Sequence, residues 1–570
     1  MSNPRTCISL PEVEDLDDFA FETEPVSGPY GITMEVADLQ HVVAWQEQRT
    51  IPYHGYYRLI LPPLVKTLQA RLKAKYGAPG AVMYSSAMVA LKEVLEYLWL
   101  QGARTIREHH PQPAISQLPF KGVQEAADVE LFMRKPFAPV DGPGICVVWD
   151  DQLPDGPIDL EEVDYWIGSL KNTGQDPGVD AATVLTRHVD EAKTIHERNR
   201  RRGACITARD ASWFLEKDPD LSPDPDGWED PKKRLCALEH ASACTTYPSG
   251  MFAITVLLDY IRTTRKRSHF VVVGHPYSDT HLLVKEIEWA GIPMRGTMLA
   301  GDDLGGLRTT LEQGDVAAVI VETISNPLGE VPDLPRLVAL CQAQEVPILC
   351  DNTMATPYNC KPLDLGVDFV VHSTTKYLSG GNDHGGGAVL TCDQAADEAL
   401  SSYQSTWAIQ MSPLEAKVLA QGLVDFEERM QRFNANGQQV AEWLEDHPAV
   451  DRVYFPGLPS SPDHAIAKRI LEPGMGSVVS FTLKNKTLDS MQRFYDCPMP
   501  GIKKAPSLGS NITLMCPYTM LTYYPRSDAY LAEHRLERFL VRISVGSEPQ
   551  IEPVIQQLAT AIEAANETSA

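Results

Sequence analysis

The stretch Asp351-Asn352-Thr353-Met354-Ala355-Thr356-Pro357, followed by Leu363-Asp364-Leu365-Gly366-Val367-Asp368-Phe369-Val370-Val371-His372-Ser373-Thr374-Thr375-Lys376-Tyr377, decides the reading of this chain. An acid closes one apolar run, Val346 to Cys350, and a lysine follows a second, Phe369 to Val371. Strands of a parallel sheet covered on both faces read as short apolar runs of this kind. Ligands of open α/β sheets sit beyond the carboxyl ends of such strands, so Asp351 and Lys376 are expected to share one crevice. Taken singly, each residue has an ordinary reading: a lysine near a strand end is usually solvated, and an aspartate after a strand usually caps or turns.

Together they suggest one chemistry. An acid beside a pyridinium nitrogen and a lysine joined covalently to the cofactor aldehyde are what pyridoxal phosphate (PLP) requires of a protein. Ser373-Thr374-Thr375-Lys376-Tyr377, preceded by Asp351-Asn352-Thr353 and Pro362-Leu363-Asp364-Leu365-Gly366, resembles the signature of the PLP enzymes of cysteine and methionine metabolism. The resemblance runs over roughly residues 236–550, with a weaker echo at 50–95, and is nearest to fungal-type cystathionine γ-synthases through Ser507 to Tyr518. It implies an α/β enzyme of fold type I, a PLP-dependent transferase. The large domain would have a mostly parallel sheet, followed by a smaller C-terminal α+β domain. The expected division is an arm at 1–62, a PLP-binding domain at 63–425 with an insertion at about 100–235, and a C-terminal domain at 426–570.

Outward from that stretch, strand and helix alternate: Phe270–Val273, Thr280–Ala290, Val316–Val321, Leu334–Ala343, Ile348–Cys350 and Phe369–Val371. This alternation argues for a mostly parallel sheet. Asp333 is an N-cap candidate, with Pro335 in the first turn. Glu415 to Glu445 reads as one long helical segment, and Phe539 to Val545 alternates as a strand. Tyr247-Pro248-Ser249-Gly250-Met251 precedes a helix, Met251 to Arg262, whose first N–H groups suit an anion. Gly250 permits close backbone approach there, so Ser249, Gly250 and Met251 are expected at a phosphate. Ser85-Ser86-Ala87-Met88 resembles that turn but lacks the glycine, and reads as a packed helix start.

The resemblance carries further roles. It implies that Ser373 and Thr375 also hold the cofactor phosphate, together with Tyr56 and Arg58 from a second subunit. Asn326, in Glu322-Thr323-Ile324-Ser325-Asn326-Pro327, would donate to the phenolic oxygen. Tyr277 would stack on the ring and hold a proton, and Lys376 would be both the cofactor's attachment point and a base. Ser507 and Arg542 would bind the substrate carboxylate, for which a guanidinium fork is suited. The implied reaction is γ-replacement, from an O-acyl homoserine and cysteine to cystathionine. Related γ- or β-elimination, homoserine sulfhydrylation, or another nucleophile stand as alternatives.

The chain has 570 residues, 43% hydrophobic and 22% charged, with formal net charge −26. That charge argues against nucleic-acid or anionic-membrane partners and leaves small amino-acid substrates. Eleven cysteines show no CxxC pair and no metal-ligand spacing, which suits a reducing compartment. No apolar run reaches the roughly 18 residues of a membrane span. The cytoplasm is the expected location, and a homodimer or homotetramer with shared sites the expected assembly. No GxxxxGK[ST] occurs at Gly380 to Gly387, which excludes a phosphate loop of that type. Residues 100–235 read as Pro/Asp-rich loops with a basic, solvated helix end at Arg198 to Arg202, and no chemistry is assigned to them.

Overall fold

A computed structural model describes residues 30, 38–40, 42–43, 63–100, 106–108, 129–133, 145–150, 158, 163–170, 179, 181–215, 218, 220–224, 226–286, 288–289, 292–293 and 295–566. Tyr56, Arg58 and most of the expected arm lie outside these residues. Among the described residues, three large sheets organise the chain, besides a two-stranded pairing of Glu288–Trp289 with Ile292–Pro293.

The central sheet follows the apolar runs. Its strands are β7 (Ala243–Tyr247), β8 (His269–Val273), β9 (Arg295–Leu299), β10 (Val316–Glu322), β11 (Ile348–Asp351), β12 (Phe369–His372) and β13 (Gly387–Thr391). Their order is β9-β8-β10-β11-β12-β13-β7. β9 to β12 run parallel with β8 among them, while β13 is antiparallel to both its neighbours. All seven residues of β10 are buried, so the strand has no alternation. It is covered on both faces and every side chain can be apolar. Helices α5 (Glu229–Glu239), α6 (Gly250–Arg265), α7 (Ser278–Glu286), α8 (Leu304–Leu311), α9 (Leu334–Gln342), α10 (Gln394–Trp407) and α11 (Pro413–Gly422) accompany it. Phe252, Ala253, Val256, Leu257 and Ile261 form the buried side of α6. Each such large side chain contributes about 1.5–3 kcal/mol on burial, so a charge placed at Leu257 would break this packing.

Several sequence expectations need correction. α7 stops at Glu286, before the expected end at Ala290. Asp333 stands at the N-cap of α9 but makes no capping hydrogen bond. Its carboxylate pairs instead with Arg469, at 2.7 Å. The expected long helix at 415–445 is two helices, α11 and α12 (Phe426–Asp446), divided at 423–425. The end of the basic run before Gly203, Arg202, is not solvated. Arg202 is 4% exposed and its guanidinium reaches Glu93 at 2.8 Å and also Glu96. The acids that neutralise it lie about a hundred residues away in sequence, where local reading cannot find them.

Residues 63–215 likewise hold more than loops. Helix α1 (Pro63–Tyr76) leads into β1 (Gly80–Tyr84) and α2 (Ala87–Leu100). Strands β2 (Ile106–Glu108), β3 (Val129–Met133), β4 (Ile145–Asp150), β5 (Tyr165–Ser169) and β6 (Ala182–Thr186) follow, then α3 (Val189–Arg202) and α4 (Ala208–Phe214). They build a six-stranded sheet in the order β1-β6-β5-β4-β3-β2. The stretch expected to be one large domain with an insertion therefore contains two sheets.

The C-terminal part carries β14 (Val450–Tyr454), β15 (Val478–Leu483), β16 (Lys503–Lys504), β17 (Leu514–Cys516) and β18 (Val541–Ser544), ordered β14-β15-β18-β17-β16. Pairing is antiparallel except between β16 and β17. α12, α13 (Leu488–Asp496) and α14 (Glu552–Asn566) are the longer helices of this α+β unit, with short ones at His464–Ile470, Tyr518–Thr522 and Asp528–Glu533. Among the described residues no helix is long and apolar enough to cross a membrane.

Candidate active site

Strand register places the site. Glu322 and Asp351 pair across β10 and β11, and Asp351 pairs with Val371 of β12. Ser373 and Lys376 follow one turn beyond that level. The carboxyl ends of three neighbouring parallel strands thus bring two acids and a lysine to one crevice, as expected for an open α/β sheet. Tyr277, Asn326, Asp351, Ser373, Lys376 and Arg542 all line the same pocket, along with Ser249, Gly250 and Met251.

Lys376 is buried, and its Nζ lies 3.1 Å from Ser507 Oγ. Desolvation, with a smaller contribution from the Arg542 charge, lowers its pKa to about 7. Burial penalises the ammonium, so a good part of this lysine is a neutral amine near neutrality. Asp351 Oδ1 accepts from Thr353 N at 2.9 Å, and burial raises its carboxyl above the ordinary range. A cationic ring nitrogen beside it would act in the opposite direction. Glu322 is raised well above the usual range by burial and then by Asp351. It accepts from Tyr277 N at 2.6 Å and thereby fixes the loop that presents the tyrosine.

The phosphate turn is built by helix α6. Ser249 is its N-cap, and its Oγ accepts from Phe252 N at 3.1 Å. Gly250 and Met251 open the first turn, where N–H groups have no intrahelical acceptor. A Cβ at Gly250 would lie 2.8 Å from Ser373 Cβ, so glycine is what lets this turn pack directly on Ser373. The wall that results suits a phosphate dianion. Thr375 does not line the pocket. Its hydroxyl lies 3.2 Å from Gly386 O and 3.1 Å from Gly386 N, which places it behind the wall as a brace.

Arg542 is 3% exposed on β18. It donates to Asn326 Oδ1 at 3.1 Å, to Ser507 O at 2.9 Å and to Pro506 O. Its Nε is buried without a hydrogen-bond partner among the described residues. Ser507 is not on the pocket lining, although its hydroxyl meets Lys376. A buried cation with an uncommitted donor at the pocket wall suits a carboxylate.

Sequence reasoning missed two parts of the site. Glu322 ends an apolar run just as Asp351 does, so the same rule applied twice would have found it. Gly203, Cys205, Ile206 and Thr207 also line the pocket, against the phosphate turn, and come from the stretch to which no chemistry was assigned. Gly203 O accepts from Ser249 Oγ at 2.8 Å. No local pattern marks them.

Acids and a desolvated lysine at strand ends, over the N-terminus of a glycine-opened helix, define a PLP-dependent enzyme of fold type I. The family profile described as Cys/Met metabolism PLP-dependent enzyme matches residues 230–563, and the chain belongs to that family. It is 30% identical over 334 residues to the chloroplastic cystathionine gamma-synthase 1 of Arabidopsis thaliana, covering 58% of this chain and 57% of that protein. It is 32% identical over 341 residues to the L-methionine gamma-lyase of Fusobacterium nucleatum subsp. polymorphum, covering 58% of this chain and 82% of that one. Cystathionine gamma synthase from Xanthomonas oryzae pv. oryzae, solved with cystathionine, superposes with a TM-score of 0.54 at 28% identity, covering 60% of this chain and 86% of its own. The family match begins at residue 230 and thus leaves the six-stranded sheet outside it.

Proposed function

We propose that this enzyme catalyses γ-replacement, joining an O-acyl homoserine to cysteine to give cystathionine. The observation that carries this reading is the similarity to cystathionine γ-synthases, and the family match at residues 230–563 contains Asp351, Lys376 and Arg542. The Ser507-to-Tyr518 segment supports it further.

Lys376 would hold PLP, Asp351 would face its ring nitrogen, Asn326 its phenolic oxygen, and Ser249 to Met251 with Ser373 its phosphate. Tyr56 and Arg58 are assigned to the phosphate by the sequence pattern, and Thr375 braces the wall. When bound, PLP supplies the electron sink that stabilises negative charge at the substrate Cα. Arg542 orients the α-carboxylate and so sets which Cα bond faces Lys376. The amine of Lys376, facing the substrate Cα, would take the Cα proton at Nζ and redeliver it; a pKa near neutrality suits both directions. Tyr277, fixed through its backbone by Glu322, stands where it can hold a proton beside the reacting carbons. The Cγ–O bond breaks with loss of the carboxylate, and the cysteine sulfur bonds to Cγ as its thiol proton leaves.

A second reading, γ-elimination, is favoured by the similarity to the Fusobacterium methionine γ-lyase. Incubating the purified enzyme with O-acetyl- or O-succinylhomoserine, with and without cysteine, separates the two. Cystathionine formed only when both substrates are present is the expected result. Steady release of 2-oxobutanoate and ammonia, indifferent to cysteine, would replace γ-replacement with elimination.

A further inference from the structure

The six-stranded sheet and the central sheet share one wiring. From β1 through β6, β5, β4 and β3 to β2, successive pairings are antiparallel, antiparallel, parallel, parallel and parallel. From β7 through β13, β12, β11 and β10 to β8, the senses are the same and the strands occur in the same chain order. Among the described residues, β9 is the strand of this sheet without a counterpart. The register agrees as well: Gly80 pairs with Thr186 and Tyr84 with Ala182, as Ala243 pairs with Thr391 and Tyr247 with Gly387.

The sequences agree at those positions. Tyr84-Ser85-Ser86-Ala87-Met88 stands where Tyr247-Pro248-Ser249-Gly250-Met251 stands, and Val163-Asp164-Tyr165 where Val367-Asp368-Phe369 stands. Ala182-Thr183-Val184-Leu185-Thr186 matches Gly387-Ala388-Val389-Leu390-Thr391. Helices α3 and α10, each of 14 residues, follow the last strand, and each ends at a left-handed residue, Gly203 at φ 76° and Ala408 at φ 48°.

The two units also meet reciprocally. Ser86 Oγ accepts from Val89 N at 3.2 Å and donates to Trp407 O, the end of α10, at 2.8 Å. Ser249 Oγ accepts from Phe252 N and donates to Gly203 O, just past the end of α3. Each unit's turn takes up the other unit's helix end. This exchange, i to j and j to i, is the mark of a two-fold contact. Leu95 and Leu98 of α2 join Leu258 and Ile261 of α6 in one continuous core.

We propose that residues 63–215 are a second copy of the cofactor-binding unit that has lost its chemistry and serves, within the same chain, as the other half of the active-site pocket. The losses are visible in the register. Ala87 replaces Gly250, Trp149 (paired with Ile167) takes the position of Asp351, and Met133 (paired with Trp149) that of Glu322. What remains functional is the segment Gly203 to Thr207, which walls the phosphate end of the pocket. The contact is polarised. The amine of Lys92 lies 3.9 Å from Asp259 of the other unit, whereas Arg202, which stands where that unit has Trp407, is neutralised within its own unit by Glu93 and Glu96. The Lys92–Asp259 pair across the contact disfavours pairing with an unmatched face. The second subunit expected from sequence to complete the site is thus supplied internally.

Gly203→Ala tests the proposal. Its Cβ would run into Ser249 Oγ and lie 2.9 Å from Phe252 N, pressing on the phosphate turn from the other unit. The control is Gly77→Ala, also left-handed (φ +64°) but with no atom within 4 Å of the new Cβ. PLP affinity of the apoprotein is read by absorbance and fold integrity by circular dichroism. Gly203→Ala is expected to weaken PLP binding about tenfold or more, and Gly77→Ala to leave it within about twofold. Equal effects, or none, would overturn the proposal. If Gly203→Ala fails to fold, Cys205→Trp, which fills the pocket from the same segment, carries the test with the same outcomes. Co-expression of the affected variant with Lys376→Ala then separates one chain from two. No recovery of cofactor loading at native affinity is expected, whereas recovery would place the wall on a different chain and overturn the proposal. PLP affinity is independent of the reaction catalysed, so these results stand or fall apart from the γ-replacement reading.

Discussion

The turn at Ser86-Ala87 and the turn at Ser249-Gly250 share a strand, a helix, a cap and a register, yet of the two it is Ser249-Gly250 that lines the pocket described above. The difference lies in a few side chains. At Gly250 the missing Cβ lets the turn rest on Ser373. At the strand ends behind it, Glu322 and Asp351 stand where the other copy has Met133 and Trp149. A fold of this type therefore survives the loss of its chemistry as long as its apolar runs and helix ends persist. The copy without chemistry is retained through the contact it makes with the copy that has it.

Lys376→Ala breaks the comparison most severely, because it removes from the active copy the group that sets it apart. Turnover should fall by about 10³-fold or more, with no borohydride-trapped adduct; native activity would refute the assignment. Arg542→Ala should raise KM for the amino-acid substrate about 10²-fold. It should also raise the apparent pKa of Lys376, since the Arg542 charge is the second cause of its lowering. Unchanged kinetics would place the carboxylate clamp elsewhere. Making the active turn resemble the inactive one, by Gly250→Ala, should weaken PLP binding about tenfold to a hundredfold through overpacking on Ser373. The reverse change, Ala87→Gly, should leave it unaltered, and a gain of PLP binding there would contradict the account.

The pH dependence gives a smaller effect. PLP is captured by the neutral amine, so the capture rate of apoprotein should rise by about tenfold per pH unit below pH 7. It should level off above about 7, where Lys376 is deprotonated. A rate still climbing at pH 9 would mean an ordinary, solvated lysine.

The central sheet was legible in sequence because its strands are buried on both faces. Phe270 to Val273 and Val316 to Val321 have no polar residue to blur them, and Asp351 and Lys376 stand out as charges beyond two further apolar runs, Val346 to Cys350 and Phe369 to Val371. The same rule would have given Glu322 had it been applied to Val316–Glu322. The first sheet was not legible because Pro/Asp-rich stretches separate its strands; the strands themselves are about as long as those of the central sheet. Arg202 was read as solvated because Glu93 and Glu96, which neutralise it, are distant in sequence. The turn at Ser85 to Met88 resembles the turn at Ser249 to Met251 because the two are counterparts in two copies, which local sequence alone does not reveal. Gly203 to Thr207 carry no motif at all. Their place in the site depends on how two units pack, and periodicity holds no information about that.

The most direct test of the account is the stoichiometry and position of the cofactor. Apoprotein titrated with PLP, reduced with borohydride and digested should yield one modified peptide, carrying Lys376, at one PLP per chain. Two PLP per chain, or a modified lysine within residues 63–215, would show that the first copy has kept its chemistry and would contradict the account.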